Sequence, residues 1–67
     1  MKIGIAQNNR LSIHFDVDVD TTRGDADFTV TLAVYNEFYR EFRYKTARPA
    51  FRKYEQLLNE YYNEQTQ

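Results

Sequence analysis

His14, Asp16, Asp18 and Asp20 occupy every second position of one segment, and Asp25 and Asp27 repeat the spacing after a short break. In an extended strand, alternate side chains project from one face about 6.7 Å apart. The segment therefore presents a row of carboxylates with one imidazole at its end. Such a row can keep a small sheet solvated, offer hard oxygen ligands to a cation, or imitate successive phosphates and occupy the basic groove of a nucleic-acid-binding protein.

The cation reading has a partial pattern behind it. Asp16-x-Asp18-x-Asp20 resembles the opening of an EF-hand calcium loop, with Asp27 where the last ligand would lie. Three features depart from that loop. Thr21 stands where it needs glycine, Val17 and Val19 belong to a strand's buried face, and a strand splays its carboxylates apart instead of wrapping them around one ion. No metal site and no cofactor are expected.

Asp16, Asp18, Asp20, Asp25 and Asp27 are thus candidate partner-binding residues, suited to a protein with a basic surface. They point to a small non-enzymatic binding module, an inhibitor or adaptor whose acidic face acts as a nucleic-acid mimic. A rival set lies further along the chain. Tyr39, Arg43, Lys45, Arg48, Arg52 and Lys53, with Arg40 and the rings of Phe42, Tyr44 and Phe51 among them, have the composition of a surface on which cations meet phosphates and rings stack on bases. Phe42, Tyr44 and Phe51 are also wanted for the core, and the acidic strands would repel the same nucleic acid.

Catalysis has little material. There is one His, a single Ser at position 12, no Cys and no glycine-rich phosphate loop. Ser12 and His14 share a strand face expected to be open to water, and no third residue is evident to orient the imidazole. Arg23-Gly24-Asp25 spells the integrin tripeptide, but here it falls in a turn between strands, and three-letter matches arise by chance.

The elements that must position these residues belong to one domain, residues 1–67, near the lower size limit for an unassisted core. A chain this short buries only about 60% of the surface its unfolded form exposes. Without cysteine it has no disulfide to help, so six Tyr and five Phe must supply much of the core. Nine basic against ten acidic side chains leave a net charge of −1, so the distribution of charge is more informative than its sum. No apolar stretch suits a signal peptide or a membrane span; a cytoplasmic location and no membrane partner are expected. Self-association is expected through an edge strand or through tyrosines such as Tyr39 and Tyr62.

Periodicity predicts an α+β fold, a small antiparallel β-meander with one C-terminal amphipathic helix on one face. Leu11, Ile13, Phe15, Val17 and Val19 alternate with polar residues, and Phe28, Val30, Leu32 and Val34 alternate with Thr29, Thr31 and Ala33. A two-residue turn at Arg23-Gly24 would pair Val19 with Phe28, Val17 with Val30, Phe15 with Leu32 and Ile13 with Val34, and would oppose Asp20 with Asp27. A three-residue loop at Asn8-Asn9-Arg10 would pair Ile5 with Ile13, Ile3 with Phe15 and Lys2 with Asp16.

Residues 35–45 satisfy both helical and strand spacing. Their aromatic density favours a strand, with a loop at Tyr35-Asn36-Glu37 setting Phe42 opposite Val30 and Lys45 opposite Asp27. A helix should follow to about Asn63, capped at Thr46 or Arg48, with Pro49 in its first turn. Its apolar stripe is Ala47, Ala50, Phe51, Tyr54, Leu57, Leu58 and Tyr61, and Gln65-Thr66-Gln67 should fray.

Overall fold

The two-residue alternation of the first forty-four positions becomes four antiparallel strands. They are β1 (Lys2–Gln7), β2 (Leu11–Asp20), β3 (Asp25–Val34) and β4 (Phe38–Tyr44), hydrogen-bonded in the order β1-β2-β3-β4. Helix α1 (Ala47–Leu57) continues as a π-helical segment, Leu58–Asn63, and packs on one face of the sheet. The computed structural model describes residues 1–63; the fraying expected of Gln65-Thr66-Gln67 lies outside them. This is the α+β meander that the periodicity predicts.

The core lies between the inner face of the sheet and the helix. Leu11, Ile13, Val30 and Leu32 are at most 1% exposed, and Ala50 and Leu57 cover them from the helix. Tyr54, Leu58, Tyr61, Phe28 and Phe42 pack around this centre. Ala47 and Phe51 share the helix stripe yet stay exposed.

The β2–β3 register differs from the expected one by two residues. Ile13 faces Leu32, Phe15 faces Val30 and Val17 faces Phe28, while Leu11 gains Val34 as a partner. The turn is the reason. A two-residue turn needs positive φ at both central positions, or glycine at the first, and Arg23-Gly24 meets neither condition. The chain instead uses residues 21–24, with Gly24 at φ 71° donating its N–H to the Asp20 carbonyl at 2.9 Å. A shift of two keeps every side chain on its expected face.

β1 departs by one residue. A two-residue turn at Asn9-Arg10 is closed by Asn8 N–H donating to the Leu11 carbonyl, while the Asn8 side-chain oxygen accepts from the N–H groups of Arg10 and Leu11. Ala6 therefore faces Ile13 and Gly4 faces Phe15; the expected Ile5–Ile13 and Ile3–Phe15 pairs do not form, and a bulge at Ile3 restores Lys2 opposite Asp16. Small residues belong on this inner face because the Tyr54 ring lies over Gly4, where an added Cβ would meet its Cζ and Oη at 3.0 Å. Ile3 and Ile5 are left about half exposed at 51% and 52%.

β4 pairs as expected, with Phe42 opposite Val30 and Phe38 opposite Val34. Asn36 takes the left-handed conformation at φ 65° in the connecting loop, a position its short polar side chain tolerates. The N-cap of α1 is Thr46, but its side chain makes no capping hydrogen bond. Pro49 sits in the first turn, where its missing N–H costs no helical bond.

Candidate acidic binding face

β2 and β3 are each ten residues long, and their neighbours are shorter. On one side, pairing ends where the Met1 ammonium donates to the Val17 carbonyl at 2.6 Å and the Met1 carbonyl accepts from Val17 N–H at 2.8 Å. On the other it ends at Tyr44 opposite Phe28. Among the described residues, 18–27 therefore extend past the paired parts of both neighbouring strands as a two-stranded arm, and Val19, on the helix side, is 57% exposed.

The register places the carboxylates across from one another on this arm. Asp18 faces Asp27 and Asp20 faces Asp25, so the expected opposition of Asp20 with Asp27 is replaced by two like-charged pairs. Directly opposed Cβ atoms in such a ladder lie about 4.5–5.5 Å apart. Asp16, half-buried between Lys2 and Thr29, continues the row toward the sheet centre. All five candidate aspartates share one face.

Local contacts favour the ionised form of Asp20 and Asp27. Asp20 accepts from the Thr22 hydroxyl at 2.6 Å and the Thr22 N–H at 3.1 Å, and the hydroxyl bond first, with the backbone bonds, lowers its pKa. Asp27 accepts from Lys45 Nζ at 2.7 Å, and that bond, then the lysine's charge, lowers its pKa too. Arg23 Nε lies 3.5 Å from Asp25 between two exposed side chains. The side chains of Asp16 and Asp18 make no hydrogen bond or ion pair among the described residues. Thr22 was not marked out by its type; the Asp-x-Thr spacing of an Asx turn is the signal that points to it.

The rival basic and aromatic residues are not gathered into one surface. Arg43 and Lys45 lie on the outer face, where Arg43 Nε bonds Glu41 at 2.6 Å and Lys45 bonds Asp27. The Glu41 contact raises the pKa of Arg43. Tyr39 stands on that face, opposite Ala33 and 63% exposed. Lys53 caps the Phe42 ring at 4.7 Å on the helix side. Arg48 and Arg52 rim a groove with Ile3, Phe15 and Phe51 on the inner side.

The Ser12–His14 face also differs from expectation. Ser12 is only 9% exposed, since its strand is flanked on both sides by Gln7 and Ala33. His14 Nδ1 lies 2.7 Å from Lys2 Nζ, so the ammonium donates to it. Among the described residues, no three His, Cys, Asp or Glu side chains converge as metal ligands, and no helix is long and apolar enough to cross a membrane. Compared with known protein families, curated proteins and solved structures, the chain gives no match.

Proposed function

We propose that the protein is a non-enzymatic binding module whose acidic arm engages a basic surface on a partner protein. The arm acts as an inhibitor or adaptor by standing in for a nucleic-acid backbone. The observation that carries this reading is the register itself: Asp18 against Asp27 and Asp20 against Asp25, on one face of a hairpin that extends past both neighbouring strands. Like charges placed directly opposite destabilise a sheet. Local repulsion of that kind is retained where a field is useful, and a preorganised charged face speeds encounter without a deep pocket.

The rival reading, a nucleic-acid surface built on residues 39–53, has less support. Its outer-face cations are engaged by Glu41 and Asp27, and Arg48 and Arg52 lie on the other side of the sheet. The test is affinity capture with two baits beside the wild type. Replacing Asp16, Asp18 and Asp20 together with Asn abolishes capture of the basic partner, while Arg43→Glu with Lys45→Glu leaves it intact. Equal recovery by all three baits overturns the proposal, and a salt-dependent gel shift of the wild type on DNA or RNA favours the rival.

A further inference from the structure

The two edges of the sheet are finished differently. β4 carries Arg40 on its inner face, over the Phe38 ring at 5.5 Å, and an inward-pointing charge on an edge strand deters pairing with another chain. β1 has no charged residue from Ile3 to Ala6, and Gly4 to Gln7 pair regularly with β2. Among the described residues no strand covers its outer edge. That edge presents two half-exposed isoleucines, Ile3 beside the helix and Ile5 on the opposite face beside His14.

Beside this edge lies an open apolar groove of about 520 Å³, floored by Ile3, Phe15, Ala47 and Phe51, with Arg48, Arg52 and one carboxylate, Glu55, around it, so that the rim carries a net positive charge. Arg48 and Arg52, one helical turn apart, stand on its rim and make no ion pair among the described residues. An unpaired strand edge offers backbone donors and acceptors, an adjoining groove takes alternate side chains, and two arginines favour an anionic visitor.

We propose that the β1 edge is a second interaction site, which accepts an extended segment of a partner protein in which apolar and acidic residues are mixed. The segment adds a fifth strand beside β1. Its apolar side chains cover Ile3 and enter the groove, and its carboxylates meet Arg48 and Arg52. Two features favour a peptide over a nucleic acid: the free backbone edge pairs with another backbone, and the groove floor is aliphatic and aromatic. A second copy paired through β1 is disfavoured by charge, since two-fold symmetry would draw four rim arginines toward one interface.

The probe is a synthetic peptide alternating Val or Phe with Glu, titrated into the 15N-labelled protein, with a peptide carrying Lys at each Glu position as the control. The Glu peptide is expected to shift the amide signals of residues 3–7 and of Phe51. Arg48→Glu with Arg52→Glu, at exposed positions that leave the core untouched, is expected to weaken it by about tenfold or more. Asp18→Asn with Asp20→Asn leaves it unchanged, which separates this site from the acidic arm. No shift at millimolar peptide, shifts confined to other residues, or equal binding of the Lys peptide overturns the proposal. So does preferential shifting of the same signals by an oligonucleotide, or a dimer in light scattering whose β1 amides are already protected from exchange.

Discussion

Gly4→Ala tests the β1 register and the seat of the helix together. An alanine Cβ at this position would lie 3.0 Å from Tyr54 Cζ and Oη and 3.1 Å from Cε2. Unstrained carbon contacts begin at about 3.5 Å, so the ring must retreat by about half an ångström. Its retreat is resisted by Phe15, whose ring centroid lies 5.4 Å away. Overpacking of this kind costs about 1–3 kcal/mol, offset by about 0.4–1 kcal/mol from the reduced freedom of the unfolded chain. The expected net loss is about 1 kcal/mol, which for a domain of this size lowers Tm by about 4–8 °C. Thermal denaturation followed by circular dichroism measures it. Tyr54→Leu withdraws the ring tip, so Gly4→Ala in that background should be neutral or slightly stabilising, and the double-mutant cycle should give a coupling of about 1 kcal/mol or more. An equal loss in both backgrounds, or none in the wild type, would refute the close approach; with Ile5 against Ile13, Gly4 would face away from the helix and alanine would be tolerated.

The charge arrangement gives further outcomes. Asp18→Asn relieves the opposition to Asp27 and should raise Tm while weakening partner capture; it leaves the Asp20 carboxylate and its Thr22 bonds in place. Asp20 and Asp27 have folded pKa values below their unfolded ones, so their contribution is full above the ordinary carboxylate range and is lost as pH falls through the folded values. Lys45→Met should remove the Asp27 share, and melting curves of the two proteins should converge as pH falls below the folded carboxylate value. Burial raises the Tyr54 pKa above 10.0. Its contribution is therefore full below the unfolded tyrosine value and lost as pH rises through the folded one, and Tyr54→Phe should flatten the alkaline limb of Tm against pH.

Strand identity was legible in the sequence because apolar alternation over Leu11–Val19 and Phe28–Val34 has a period that no helix shares. The aromatic run of β4 and the Lys45–Asp27 contact followed from the same parity and from a three-residue loop that Asn36 permits. Register was less legible. Parity is blind to a slip of two, and the Asp20–Asp25 pairing depends on an Asx turn and on what Arg23 will not adopt. On β1 the isoleucines looked like the core residues because they are the larger ones. The space above that strand is already filled by Tyr54, a contact between residues fifty positions apart that periodicity does not encode. The five aspartates could be assigned to one face from spacing alone; that they crown an arm projecting beyond its neighbours depends on where β1 and β4 stop.

In the proposed function the field of this arm drives recognition of a basic partner. The most direct test is the association rate of the captured partner, measured as a function of salt for the wild type and for the variant with Asn at positions 16, 18 and 20. An electrostatically steered encounter slows steeply as salt screens it. The wild type should show that steep fall, and the variant a slower rate with a much flatter dependence. Equal rates and equal salt slopes for the two proteins would contradict the account and leave the aspartates as the solvated face of a small sheet.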